Sequence, residues 1–292
     1  MKKLQGAITA IVTPFEGNRI DAEGYKKLLK RQLEAGINGI VPVGTTGESA
    51  TLDFEEHQRV IDIAVETVNG GVPVIAGAGA NSTEEAISLT KYAKKAGADY
   101  VLSVCPYYNK PTQEGLYRHF SEIAECGIPV VLYNVPSRTS SSISPDTVAR
   151  LSEHPNIVAI KEASGSIKQA TEILLKAKKG FTVLSGDDFM TLPLMAIGAK
   201  GVISVTSNVW PEAVVSLTEA ALSGDFDKAK EIHKKLYRLN QSMFIETNPI
   251  PVKTACAMLG LITDEIRLPL CGLSSQHAEE LKSVLKNYGL LK

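Results

Sequence analysis

One lysine stands where an apolar run of sequence stops. Residues 157 to 163 read Ile-Val-Ala-Ile-Lys-Glu-Ala. The run is β-branched, apolar and too short for a helix, which predicts a strand buried on both faces with its end at the rim of a parallel sheet. Burial disfavours an ammonium, so a lysine of ordinary pKa about 10.4 falls by several units in an apolar site and holds a free amine near neutral pH. A free amine attacks carbonyl carbon, and the chemistry that Lys161 could perform is Schiff-base formation. A structural reading stands beside it: the lysine extends its stem from the strand end to solvent, or to a carboxylate such as Glu162.

Other strand ends carry polar residues of matching use. Gly44-Thr45-Thr46-Gly47-Glu48-Ser49 is a turn whose small residues let backbone N–H groups and two hydroxyls approach an anion. It lacks a P-loop lysine and spacing, so a carboxylate is expected there in preference to a nucleoside triphosphate, with an ordinary strand–helix turn as the alternative. Pro106-Tyr107-Tyr108-Asn109 and Tyr133-Asn134-Val135-Pro136-Ser137-Arg138-Thr139 follow two further runs. Tyrosines in such places also serve as packing residues with a wet hydroxyl. Arg138 is placed either for a surface ion pair or for a bidentate carboxylate. The five histidines show no metal-ligand spacing and none ends a strand, so no metal is expected, and no Gly-x-Ser-x-Gly elbow is present.

The elements that would position these groups alternate along the chain. Runs rich in Val and Ile at 7–14, 39–44, 73–79, 100–106, 129–136, 157–163, 181–186 and 201–207 predict eight strands. Between them lie helical stripes such as Tyr25, Leu28, Leu29 and Leu33. Helix starts are marked by Asp21, by Ser82 with Glu85 as a capping box, by Ser144 before Pro145, and by Ser166 with Gln169. Helices end at Gly36, Gly97 and Gly198, each shortly before a strand. Eight such units in about 210 residues predict an α/β fold, a (β/α)8 TIM barrel with the reactive groups at the carboxyl ends of the strands. After residue 208 only helices are expected, at 211–222, 225–245, 249–259 and 276–288. The reading is thus a barrel over 1–208 and a C-terminal helical appendage over 209–292, packed on it without a long linker.

Composition excludes several functions. The chain has 292 residues, 44% hydrophobic and 22% charged, with a formal net charge of −1. No basic field or cluster of Lys and Arg among aromatics marks a nucleic-acid surface. Apolar runs are too short to span a bilayer, and the start lacks an export signal, which predicts a cytoplasmic protein. Cys105, Cys126, Cys256 and Cys271 are scattered without a C-x-x-C pair and read as reduced packing residues.

Taken together, GTTGES (44–49), PYYN (106–109), YNVPSRT (133–139), IKEASG (160–165), SGDD (185–188) and GVISVTSN (201–208) resemble the 4-hydroxy-tetrahydrodipicolinate synthase family, long called dihydrodipicolinate synthase, of the Schiff-base pyruvate lyase superfamily. The likeness covers essentially the whole chain. It implies that Lys161 forms the imine with pyruvate, without cofactor or metal. Tyr133, Thr45 and Tyr108 form the proton relay, Thr45 and Thr46 hold the pyruvate carboxylate, and Gly186 and Ile203 line the pocket through their backbone. Arg138 receives the carboxylate of L-aspartate 4-semialdehyde. Tyr107 crosses a dimer interface, and the assembly is a homotetramer, a dimer of dimers.

The implied reaction is the first committed step of diaminopimelate and lysine biosynthesis. Its rivals are another pyruvate-dependent aldolase, similar to N-acetylneuraminate lyase, and a catalytically silent barrel that binds a keto acid. The cation of Arg138 favours a short aldehyde carrying its own carboxylate over a polyhydroxylated sugar acid. The resemblance also implies a lysine effector cleft formed by Ser49, Ala50, Phe54, His57, Asn81, Glu85 and Tyr107. Phe54 replaces a histidine of the strongly inhibited pattern, so weak or absent inhibition is expected.

Overall fold

The computed structural model describes residues 2–292. Eight parallel strands, β1 (Gly6–Ala10), β2 (Gly39–Val41), β3 (Ile75–Gly77), β4 (Tyr100–Val104), β5 (Val130–Asn134), β6 (Ile157–Glu162), β7 (Thr182–Ser185) and β8 (Gly201–Ser204), pair with their sequence neighbours. The ring closes because β8 pairs back on β1 with Gly6 opposite Gly201, and a bridge from Ile40 to Val74 joins β2 to the start of β3. The fold is a TIM barrel, as the alternation of elements predicts.

Every expected strand exists, but several are shorter than their apolar runs. The first leaves the sheet after Ala10, because Val12 donates to Asn208 Oδ1 and Thr13 to the carbonyl of Gly47. The second ends at Val41, and Val43 turns into the left-handed region with φ 48°. A short antiparallel hairpin, Phe15–Glu16 with Arg19–Ile20, follows the first strand and is absent from the sequence reading.

Helices α1 (Ala22–Glu34), α2 (Phe54–Val68), α3 (Thr83–Ala96), α4 (Gln113–Ala124), α5 (Pro145–Ser152), α6 (Ile167–Lys176), α7 (Thr191–Ala196) and α8 (Pro211–Leu222) alternate with the strands. Helix α8, grouped with the C-terminal region in the sequence reading, packs against β1. Asp21, Ser144 and Ser166 cap their helices by accepting from backbone N–H groups. The expected box at Ser82 and Glu85 does not form, since Ser82 makes no side-chain cap bond. The capping box lies instead at the start of α2, between Asp53 and Glu56, and Glu85 is left free for another use.

Side chains on alternate strand positions form two cores. Outward residues such as Val101, Val130, Ile160 and Val183 pack under the helices. Inward residues, among them Ile8, Val41, Ile75, Leu102, Val131, Ala159, Leu184 and Ile203, fill the barrel. Burying one such aliphatic side chain contributes about 1.5–3 kcal/mol. The same packing keeps water from the lower part of any group that points inward.

Helices α9 (Phe226–Ser242), α10 (Ile250–Met258) and α11 (Ser275–Asn287) complete the chain. A buried ion pair joins them to the barrel: Lys253 on α10 donates to Glu48 Oε1 at 2.5 Å, with both side chains essentially sealed. Lys253 Nζ also lies 4.2 Å from the centroid of the Phe15 ring. Removing one partner of such a pair strands a charge and costs about 3–5 kcal/mol. The C-terminal region therefore braces the turn that carries Thr45 and Thr46.

Candidate active site

Lys161 and Tyr133 are opposite one another in the register of β6 and β5. They share the inward parity of Ala159 and Val131, so both point into the barrel at its carboxyl end. Lys161 is 6% exposed, and its Nζ lies 4.1 Å from the centroid of the Tyr133 ring. Among the described residues no carboxylate forms an ion pair with it.

The structural alternative for Lys161 fails at Glu162. One residue on, Glu162 points to the opposite face of the sheet, where it accepts from Asn134 Nδ2 at 3.0 Å, Ser164 N at 2.7 Å and Gln169 Nε2 at 3.2 Å. Asn134 is the register partner of Glu162, so this bond clamps β5 to β6 immediately behind the lysine and tyrosine. Neither Asn134 nor Glu162 was singled out for such a role by sequence.

Gly186, at the end of β7, makes room for the amine's stem. A methyl group there would stand 2.6 Å from Ala163 Cβ, 3.0 Å from Lys161 Cγ and 3.1 Å from Lys161 Cε. Ile203 is buried in the barrel interior on β8. Asp188 ties these last two strand ends together, accepting from Ser204 Oγ and from the N–H groups of Val205 and Thr206. Burial raises its pKa above the usual carboxylate range, and its hydrogen bonds and Lys161 pull the other way.

Tyr133 joins the amine to a cavity of about 690 Å³ lined also by Gly44, Thr45, Arg138 and Asn248, whereas Lys161, Thr46, Gly186 and Ile203 are not among its lining residues. The threonine turn is held from below: a methyl at Gly77 would meet the Val43 carbonyl oxygen at 2.2 Å, so only glycine permits the close approach. The N–H groups of Gly47, Glu48 and Ser49 are spent on carbonyls within the turn. Those of Thr45 and Thr46 donate to nothing among the described residues, as a bound anion would require. Arg138 sits on the single helical turn Pro136–Thr139, and its Nη2 donates to the Asn248 carbonyl at 3.0 Å.

The remaining sites of the sequence reading divide. Tyr107 is 41% exposed and lines the same cavity. Tyr108 is 89% exposed on a left-handed backbone, φ 71°, and does not line it. Within one chain, no hydrogen bond joins Tyr108, Thr45 and Tyr133. Ser49, Ala50, Phe54, His57 and Glu85 extend the wall of the cavity, and Asn81 donates to the Tyr107 carbonyl at 3.4 Å. His57 hydrogen-bonds the Gly77 carbonyl through Nε2 at 2.9 Å, and burial pushes its pKa down to about 4. It is a neutral ring at ordinary pH.

Two further residues escaped the sequence reading. Asn248 touches both Thr46 and Arg138. Lys253 is a second buried lysine, 1% exposed, and burial holds its ammonium below the usual lysine range. It is spent on Glu48, whereas Lys161 is unpaired among the described residues. Of the cysteines read as packing residues, Cys105 and Cys256 lie in the core, Cys126 is half-buried and Cys271 is exposed.

Known proteins resemble the whole of this architecture. The sequence profile of the Dihydrodipicolinate synthetase family matches residues 3–288. The 4-hydroxy-tetrahydrodipicolinate synthase of Thermodesulfovibrio yellowstonii is 56% identical over 289 residues, covering 99% of each chain. The crystal structure of dihydrodipicolinate synthase from Aquifex aeolicus superposes with a TM-score of 0.97 at 52% identity, over 98% of this chain and 99% of that one. A monomeric dihydrodipicolinate synthase variant gives the same TM-score at 46% identity, over 98% and 97%. With agreement of sequence and fold from end to end, the chain belongs to the dihydrodipicolinate synthetase family.

Proposed function

We propose that this protein condenses pyruvate with L-aspartate 4-semialdehyde to give 4-hydroxy-tetrahydrodipicolinate, a step of diaminopimelate and lysine biosynthesis. The observation that carries the reading is an unpaired, buried lysine amine against a tyrosine on the wall of a cavity that also holds a threonine turn and an arginine.

The Lys161 amine adds to the keto carbon of pyruvate, and the carbinolamine loses water to form an imine. Loss of a methyl proton gives an enamine, whose carbon attacks the aldehyde. The amino group of the second substrate then adds to the imine carbon, closes the ring and frees Lys161. Each addition and elimination moves a proton, and the Tyr133 hydroxyl, unengaged by the chain, is placed to carry it. The amine itself serves as the electron sink, so the reaction calls for neither cofactor nor metal.

Thr45 and Thr46 hold the pyruvate carboxylate with their free N–H groups and hydroxyls. Arg138 offers its guanidinium to the carboxylate of the semialdehyde. Gly186 and Ile203 shape the wall beside the imine. Tyr107, the tyrosine expected to cross the interface, lines the cavity of its own chain, whereas Tyr108 is turned outward. The crossing role therefore passes to Tyr108, which completes the relay in the cavity of a second copy; the working form is a homo-oligomer, with the dimer of dimers that the family resemblance implies. Four free thiols fit a cytoplasmic protein. Among the described residues no helix is long and apolar enough to cross a membrane.

An assay coupled to reduction of the cyclic product tests the reading. Turnover must require both pyruvate and L-aspartate 4-semialdehyde, and N-acetylneuraminate must release no pyruvate. Cleavage of the sugar acid without turnover of the semialdehyde would assign the chain to the other branch of the superfamily.

A further inference from the structure

Asn248 lies between α9 and α10, more than 200 residues from the turn it touches, and is 5% exposed. Its Nδ2 donates to Thr46 Oγ1 at 3.0 Å, and its main-chain carbonyl accepts from Arg138 Nη2 at 3.0 Å. One residue thus stands between the two groups assigned to the two substrate carboxylates. Its Oδ1 is buried and has no hydrogen-bond partner among the described residues.

The direction of the Thr46 bond has a chemical consequence. A hydroxyl has one proton and two acceptor lone pairs. Asn248 can only donate through Nδ2, so it occupies a lone pair and leaves the Thr46 proton uncommitted. That hydroxyl donates to nothing else among the described residues, and the neighbouring N–H groups of Thr45 and Thr46 are likewise free.

We infer that Asn248 is a positioning residue for the keto-acid substrate: it fixes Thr46 as a donor, so that the hydroxyl presents its proton to the pyruvate carboxylate. The inference rests on the assignment of the threonine turn to that carboxylate. By holding Arg138 through its carbonyl, the same residue sets the spacing between the two carboxylate sites.

Polarity, not size, is the property to vary. Asn248→Leu keeps the approximate shape and removes the donor. Asn248→Asp is closer still in shape but only accepts when ionised, so it takes the Thr46 proton and turns the hydroxyl's lone pairs toward the substrate. Steady-state kinetics and the rate of borohydride trapping with pyruvate are measured for both, with melting temperatures as the check on folding. N248L is expected to raise the pyruvate KM by roughly ten- to a hundred-fold, the usual worth of a hydrogen bond to a charged group. N248D is expected to do worse, while kcat at saturating pyruvate changes less in both.

Thr46→Val supplies the reference. It raises the pyruvate KM by a similar factor, and adding N248L to it produces no further rise. A folded N248D with wild-type pyruvate KM, or additive effects of T46V and N248L, overturns the inference. If T46V leaves the pyruvate KM unchanged, the carboxylate assignment falls and the inference with it, although imine trapping at Lys161 persists.

Discussion

Tyr133 and Lys161 face one another across adjacent parallel strands, with the lysine Nζ 4.1 Å from the centroid of the tyrosine ring. The outward bond between their neighbours, Asn134 Nδ2 to Glu162 Oε2 at 3.0 Å, locks that register. The amine and the tyrosine ring are therefore held against one another by the sheet itself. Tyr133→Phe removes the hydroxyl and leaves the ring against the amine. It is expected to preserve the fold and lower kcat by about two to four orders of magnitude, the worth of one positioned acid–base group. Wild-type turnover in steady-state assays would remove Tyr133 from the proton transfers.

Arg138 is the residue proposed to tell the two substrates apart. It stands on the turn after β5, on the cavity wall, and is anchored by the Asn248 carbonyl. Arg138→Ala should raise the KM for aspartate semialdehyde by roughly ten-fold or more, and that for pyruvate far less, with imine trapping intact. Equal effects on both constants would make the arginine a structural residue.

Two buried histidines make stability depend on pH. Burial pushes His57 and His119 down to about 4 from an ordinary value of 6.5. The unfolded chain therefore binds more protons than the folded one between these values. Their contribution is complete above pH 6.5 and is lost as pH falls toward 4, at up to about 1.4 kcal/mol per pH unit for each ring. Asp187 and Asp188, whose carboxyls burial raises, act in the opposite sense and reduce the net slope. Urea midpoints should fall from about pH 7 to about pH 5, and replacing both histidines by glutamine should flatten the trend. A midpoint independent of pH over that range in the wild type would contradict it.

In the extended cavity wall, Glu85 is free to meet an ammonium because it caps nothing, but His57 is neutral and Phe54 presents an apolar ring that is 54% exposed. For an effector carboxylate the expected cleft then leaves chiefly Tyr107, on the wall, and Asn81, bonded behind it to the Tyr107 carbonyl. L-lysine should inhibit weakly or not at all below the millimolar range. Half-inhibition at micromolar L-lysine in the coupled assay would show that Phe54 does not limit the cleft.

The barrel was legible because its signals are local. Strand runs, the stripe on α1 and the glycine C-caps each occupy fewer than about twenty residues, and their repetition specifies the topology. Motifs at strand ends placed Lys161, Tyr133, Thr45 and Arg138 for the same reason. What stayed hidden joins distant segments: Asn248 with Thr46, and Lys253 with Glu48, are each more than 200 residues apart. A lone asparagine between two helices and a lysine within an apolar helix carry no spacing that announces a partner. Ser82 and Glu85 show the opposite error, a spacing with the form of a capping box that the local backbone does not use.

Reductive trapping tests the central claim most directly. Among the described residues two lysines are buried, one unpaired against Tyr133 and one bound to Glu48. Protein is incubated with pyruvate and borohydride, digested, and each lysine-containing peptide is weighed by mass spectrometry. The account predicts a single irreversible pyruvate adduct at Lys161, abolished by Lys161→Arg, with Lys253 unmodified. An adduct at Lys253 or elsewhere, or an active enzyme that borohydride and pyruvate fail to label, would contradict it.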